Sequence, residues 1–312
     1  MSDVILQKYE VRKSNKEKTR FIEYMKTRML DAGYEEDDIK VEEKSIGILK
    51  SRNIVVGDPE KAKVLLTAHY DTCAVLPFPN FMAPTSVPLF TMSQIIITIL
   101  MLGMAFVVGL IAAILTGKSS LGATVFVIAL YALLFYMLFG YRNKHTANDN
   151  TSGVIAITKI LEQLSAEERE KVCVVYFDNE EKGLLGSEFF MRRHKKTIKD
   201  KLVINFDCIG DGHNVVVLVK KKMQDDELTK MFLKTMKETS GDHDVNFIHD
   251  KLRLLMFGSD QMHFEKGIGV CALRNSPLGM YVARIHTPFD TVCREENIAF
   301  IVDGANRFIK NI

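Results

Sequence analysis

The sequence predicts an α/β protein: a three-layer α/β/α sandwich on a mainly parallel, mixed sheet, with a transmembrane α-helical hairpin inserted into it. Three observations carry this reading. Short, continuous runs of apolar and β-branched residues alternate with amphipathic stretches, the pattern of central strands covered on both faces and joined by helices. Residues 72–117 form 46 consecutive positions without a charge, and 119–141 form 23 more. Of 41 basic and 39 acidic residues, the segment 72–141 therefore holds only Lys118.

In chain order, residues 16–32 place Phe21, Ile22, Met25, Met29 and Leu30 on one helical stripe. Residues 39–41, 53–56 and 64–68 read as strands, as do 173–177, 202–206 and 215–219. Helices are expected over 152–164, 184–193, 227–238 and 295–309. Pro77, Pro79, Pro84 and Pro88 crowd the approach to the apolar segment and predict a stiff, non-helical loop there.

Within the apolar segment, residues 89–115 make a helix roughly 40 Å long and 121–139 one of roughly 29 Å, against a hydrocarbon core of about 30 Å. A polar turn, 116–120, joins them. Ala105, Gly109 and Ala113 recur every fourth position and allow close approach of a partner helix, a homo-oligomer contact included. The competing reading is a buried apolar hairpin that serves dimerisation. A hairpin returns the chain to its starting side, so residues 1–72 and 145–312 are expected to form one discontinuous domain, with 73–144 as a membrane insertion. Residues 1–20 are polar and show no apolar signal segment. Arg142 and Lys144 flank the second helix against the single Lys118 in the opposite turn. Both features predict a cytoplasmic domain anchored in the lipid bilayer, the plasma membrane of a prokaryote.

A net charge of +2 gives no reason to expect nucleic acid as a partner. Five cysteines without Cys-x-x-Cys spacing exclude a disulfide framework or a cysteine-based zinc knuckle, and read as reduced, packed thiols. His145, His194, His213, His243, His249 and His263 have no partner at ligand spacing and read as ordinary histidines. The basic stretches 191–196 and 220–222 read as solvated faces, or as contacts to anionic headgroups.

Five clusters stand at ends of expected strands or beside helices, where open α/β sheets place their sites. They are His69-Tyr70-Asp71, Asn148-Asp149-Asn150, Asp178-Asn179-Glu180-Glu181, Asp207, and His286 with Asp290. Any one of them alone is more often a cap or a surface group. Together, two imidazoles and several carboxylates supply a mixed N/O donor set suited to zinc. Glu180 beside Glu181 costs electrostatic repulsion unless a cation neutralises one, which frees the other as a general base.

The ordered set His-x-Asp, Asn-Asp-Asn, Glu-Glu-x-Gly-Leu-x-Gly-Ser, a strand-end Asp and His-Thr-x-x-Asp resembles the dizinc exopeptidases of peptidase clan MH. Aminopeptidase Y and the bacterial leucyl aminopeptidases belong there, with glutamate carboxypeptidase as a relative. The resemblance covers residues about 1–72 and 145–312; the hairpin is not part of the family pattern. It implies a zinc exopeptidase-like fold and two zinc ions per chain. His69 and Asp207 would bind one ion, Glu181 and His286 the other, and Asp149 both. Glu180 would be the general base, and Asp71 would fix the His69 tautomer. Asp290 would orient the loop carrying His286.

The implied reaction is removal of N-terminal residues from peptides, with a hydroxide bridging the zinc pair as nucleophile. Carboxypeptidase action, glutaminyl cyclisation and a non-catalytic scaffold remain open on the same fold. The resemblance further implies that Asp260, Phe264 and Ile268 shape the substrate pocket. Here Ser259-Asp260-Gln261 stands where Ser-Asp-His is frequent, and Thr146-Ala147 where Gly-Ala is, which puts pocket details in doubt. Seven residues separate Arg142 from Asp149, a reach of at most about 25 Å. The metal site is thus expected beside the lipid surface, with hydrophobic or membrane-associated peptides as substrates.

Overall fold

The computed structural model describes residues 3–47, 49–78, 80, 82–241, 244–248 and 256–312; His243, His249 and Pro79 lie outside the described residues. After a short helix α1 (Val4–Lys8), α2 (Asn15–Asp31) begins at a capping box. The Ser14 hydroxyl accepts from Glu17 N at 3.3 Å, and Glu17 Oε2 accepts from Ser14 N at 2.8 Å. Phe21, Ile22, Met25 and Met29 face the core as expected, whereas Leu30 is exposed.

Strands β1 (Ile39–Ile46) and β2 (Leu49–Val56) pair as an antiparallel hairpin. The sequence pattern marks only the first three residues of β1 and the last four of β2. The middle carries Glu42, Glu43, Lys44 and Lys50, and β1 is an edge strand with no apolar run to mark it. There follow β3 (Val64–His69), the paired helices α3 (Val87–Thr116) and α4 (Ser119–Phe139), a wide helical turn over Ala147–Ser152, α5 (Gly153–Gln163), α6 (Ala166–Lys171), β4 (Val172–Phe177) and α7 (Leu185–Ile198). The chain continues through β5 (Leu202–Phe206), β6 (Asn214–Val219), α8 (Glu227–Thr239), β7 (Asp244–Ile248), β8 (Gly267–Ser276), β9 (Gly279–Tyr281) and α9 (Glu295–Asn311).

The sheet order is β1-β2-β4-β3-β5-β8-β6-β7, with β9 paired to β8. Strands β4, β3, β5 and β8 run parallel at the centre, and antiparallel pairs flank them on both sides. Alternate residues of β3 divide between two cores. Val64, Leu66 and Ala68 pack with α2, α5, α8 and α9, while Leu65 packs with Phe190 and Ile198 of α7 and with Phe264. Because β3, β4 and β5 are parallel, their C-terminal ends open on one edge, where His69, the turn after Phe177, and Asp207 emerge together.

Both α3 and α4 are long and apolar enough to cross a membrane by length and composition, with mean hydropathy of 2.8 and 2.3. Pro88, expected in the loop, sits in the first turn of α3, where a missing N–H costs no helical bond; Ser86 caps that turn through Leu89 N. The small residues of α3 are used inside the chain. A Cβ on Gly109 would lie 2.7 Å from the Gly122 carbonyl oxygen, and one on Gly122 2.6 Å from Ala113 Cβ. The ridge read as a partner-helix contact is thus occupied by α4.

At its root the insertion leaves and re-enters the domain side by side. Ala74 pairs with Arg142, Val75 N donates to Tyr141 O at 2.8 Å, and Asn143 N to Cys73 O at 3.2 Å. This root is tied to the loop after β9. Leu76 N donates to His286 O at 2.8 Å, and Asn143 Nδ2 to Thr287 O at 2.9 Å. Introducing leucine at Gly109 forces α3 and α4 apart; a loss of about 1–3 kcal/mol is expected. It reads as a lower thermal midpoint in detergent, with Val107→Leu on the exposed face as the neutral control.

Candidate metal centre

His69 ends β3, and its ring is held from behind by the backbone. Its Nδ1 lies 3.1 Å from the Asp71 carbonyl oxygen, against 3.7 Å to the Asp71 carboxylate. The ring nitrogen thus donates to a main-chain oxygen, leaving Nε2 free to face inward. The Asp71 carboxylate, expected to fix the tautomer, stands 3.7 Å from Nδ1 and also accepts from Glu180 N at 2.9 Å and Glu181 N at 3.3 Å. It couples the loop after β3 to the turn after β4, which carries the paired glutamates.

Asp149 occupies the centre. One carboxylate oxygen is 3.3 Å from His69 Nε2 and the other 3.1 Å from His286 Nε2. Asp207 Oδ1 is 3.5 Å from His69 Nε2, and Glu181 Oε2 is 3.2 Å from His286 Nε2. The flanking asparagines explain the Asn148-Asp149-Asn150 spacing. Asn148 Oδ1 accepts from Gly210 N at 2.7 Å and Asp211 N at 3.1 Å. Asn150 Nδ2 donates to Phe206 O at 2.9 Å, and its Oδ1 accepts from Gly153 N at 3.0 Å. Both bind the turn to the Asp207 loop, and only the aspartate points into the cluster. The Asp149–Asn150 peptide is cis.

Asp290 accepts from Asn148 N at 2.8 Å and Asp149 N at 3.0 Å. It therefore fastens the loop that carries His286 to the Asp149 turn. His286 itself adopts φ +58°, as do Asn179 (φ 57°) beside Glu180 and Cys208 (φ 55°) after Asp207. Left-handed non-glycine residues are costly and concentrate here at the site.

The donor set fits a pair of divalent cations. Glu181 Oε1 and Asp207 Oδ1 are buried with no hydrogen-bond partner among the described residues. Burial, together with the neighbouring carboxylates, pushes the Glu180 and Glu181 carboxyls above their usual range. Ligand atoms of His69, Glu180 and Asp207, and of His69, Asp149 and Glu181, each lie within 4.8 Å of one another. So do Cys73, Glu181 and His286, and Asp149, Asp207 and Cys208. Two thiols thus border the cluster, nearer than the sequence reading placed them.

Residues 113–300 match the family model described as Peptidase family M28, which is more than half of the chain. The chain belongs to peptidase family M28. None of the curated proteins matches it. Its fold resembles the Legionella pneumophila LapA aminopeptidase (14% identity, TM-score 0.55, 98% of this chain and 68% of that one). It likewise resembles a Zn-dependent exopeptidase from Parabacteroides distasonis (16%, 0.57, 97% and 94%) and the Tannerella forsythia glutaminyl cyclase (16%, 0.59, 97% and 94%). At these identities the likeness shows the fold alone. Membership of M28 makes the protein a zinc-exopeptidase-type hydrolase of clan MH.

Of the expected pocket residues, Asp260 is fully buried in the turn before β8, within electrostatic reach of His69, Asp71 and Asp207. Neither of its oxygens has a hydrogen-bond partner among the described residues; the Ser187 hydroxyl nearby bonds Leu184 O at 3.1 Å and His263 Nδ1 at 2.9 Å. Burial lifts the Asp260 carboxyl to about 7. Phe264 and Ile268 do not line the site. Phe264 stacks on Phe177 in the core against α7, and Ile268 sits in the opposite core. Ile268 pairs with Ile204 in the middle of β5.

Two supporting cations escaped the sequence reading. Arg12, fully buried, donates to Tyr70 O and, at 3.0 Å, to Thr151 Oγ1, clamping the loop after β3 to the Asp149 turn. Lys18 of α2 is bonded to Asp178 and, at 2.8 Å, to Asn179 Oδ1, just before the paired glutamates. Lys18→Met strands a fully buried carboxylate, at a cost of about 3–5 kcal/mol. A fall in thermal midpoint is the expected readout, and Lys18→Met/Asp178→Leu should recover most of it.

Proposed function

We propose that this M28 protein is a membrane-anchored aminopeptidase with two zinc ions, cutting N-terminal residues from peptides at the cytoplasmic face of the membrane. The observation that carries the proposal is the Asp149 carboxylate, which offers one oxygen to the His69–Asp207 side and the other to the Glu181–His286 side. His69 and Asp207 would hold one ion, Glu181 and His286 the other, and Asp149 would be shared. When bound, the zinc pair supplies Lewis-acid polarisation of the scissile carbonyl and charge stabilisation for the developing oxyanion.

The protein's own groups do the rest. Glu180 removes a proton from the attacking water on a carboxylate oxygen and returns it to the leaving amine nitrogen. Its raised carboxyl value, from burial, suits a group that must both accept and release that proton. Asp71 holds the backbone of Glu180 in place. Asp260, buried beside the cluster with neither oxygen hydrogen-bonded among the described residues, offers a carboxyl that a protonated substrate amine would satisfy, which supports aminopeptidase over carboxypeptidase polarity.

The hairpin supports the membrane reading through its exposure. Only 17% and 6% of the most apolar windows of α3 and α4 are buried, whereas a core helix of a soluble protein is mostly buried. Arg142 and Lys144 stand at the root against Lys118 at the far turn. The root bonds to His286 and Thr287, so a site beside the lipid surface follows.

Glu180→Gln is expected to lower kcat/KM on leucyl peptides by roughly 10²–10⁴-fold. Zinc content by atomic absorption should stay unchanged; unaltered turnover would exclude Glu180 as the base. Chelation should abolish cleavage, zinc should restore it, and N-acetylated peptides should resist it, as read by mass spectrometry. A product that loses ammonia but keeps all its residues would mark glutaminyl cyclisation instead. The protein is expected in the membrane pellet after alkaline carbonate extraction; recovery in the supernatant would remove the bilayer from this account.

A further inference from the structure

The side of the cluster next to the hairpin contains a donor that the five motifs do not include. Cys73 lies two residues beyond Asp71, in the first turn of chain that leads into the insertion. Its Sγ is within 4.8 Å of the ligand atoms of Glu181 and His286, and the residue is buried. Glu181 brings a carboxylate oxygen into this same group, and its Oε1 is buried, in a side chain 8% exposed, with no hydrogen-bond partner among the described residues. We propose that Cys73 is a further ligand of the cation held by Glu181 and His286, so that this half of the site is a mixed N/O/S centre. The assignment rests on the two-zinc reading above.

Four observations favour Cys73 over the other cysteines. Asn143 Nδ2 donates toward Cys73 Sγ at 3.8 Å, so the sulfur is an acceptor. Asn143 is held by a second bond to Thr287 O at 2.9 Å, which keeps its amide aimed at the sulfur. Cys208, the other thiol bordering the cluster, groups with Asp149 and Asp207 and not with Glu181 and His286. Cys173, Cys271 and Cys293 belong to none of the candidate ligand groups among the described residues.

The chemistry follows from the donor. Binding displaces the thiol proton to solvent and forms one metal–sulfur bond; nothing is oxidised or reduced. A soft sulfur donor raises selectivity for zinc over manganese and magnesium at this half of the site, where the oxygen-rich His69–Asp207 half discriminates less. Because Cys73 and Asn143 both belong to the hairpin root, this ligation fastens the insertion to the catalytic centre.

The test uses the full-length protein in detergent, stripped of metal and reloaded with cobalt(II). Two bound cobalt ions with a near-ultraviolet thiolate-to-cobalt charge-transfer band are expected for the unaltered chain and for Cys208→Ser. Cys73→Ser should still show the visible ligand-field bands of bound cobalt but lack the thiolate band. Its weaker site should release zinc to a competing chelator at least tenfold more readily. Two cobalt ions bound without a thiolate band, or a band that survives Cys73→Ser, would overturn the assignment and leave the two-zinc reading standing. Failure to bind two cobalt ions would remove both.

Discussion

Confining mutually repelling carboxylates at the C-terminal edge of a parallel sheet is the constraint around which this protein is arranged. Asp149, Glu181 and Asp207 are each less than a tenth exposed, and their oxygens converge on two histidines. In a low-dielectric edge such a cluster opposes folding unless cations enter it. Every loop that reaches the edge is therefore held from outside. Asp71 binds the glutamate turn, Asp290 binds the Asp149 turn, and Asn148 and Asn150 bind the Asp207 loop. The sheet supplies direction, and these hydrogen bonds supply position.

The supporting cations belong to the same design. Arg12 and Lys18 come from the N-terminal segment, cross over the sheet edge and are buried against groups that precede or follow ligands. Neither touches the metal cluster directly. They offset part of its charge and fasten α2 to the loops it covers, so the helix is both a wall of the core and a brace for the site.

The residues that cluster at the sheet edge could be picked out in the sequence because His69, Glu181 and Asp207 come just after apolar runs and Asp149 just before a helix, in a fixed order along the chain. The strands that carry them were legible for the same reason: 173–177, 202–206 and 215–219 are continuous and apolar because both faces are covered. What could not be read depends on distant partners. Lys18 meets a residue 160 positions away, and nothing in a lysine on an amphipathic helix distinguishes it from its solvated neighbours. That Asp71 and Asp290 also bind backbone amides of the glutamate turn and the Asp149 turn was not legible, since sequence adjacency to a histidine gives no clue to which backbone amides a carboxylate will meet. Phe264 and Ile268 were assigned by analogy to a pocket, but each is a core residue on a strand or turn whose pairing only the fold discloses. The edge hairpin β1–β2 was half hidden because a solvent-facing strand has charged alternate positions.

The pairing of Ala74 with Arg142 also bears on how such a molecule came to exist. Chain ends that depart and return across a single antiparallel bridge can lengthen indefinitely without shifting any strand of the sheet. The apolar hairpin is thus an elongated surface loop in topological terms, and an ancestor lacking it would need only a tight reversal at that point. Two long apolar helices could have been gained by one insertion event, at the position where the neighbours in space already included His286.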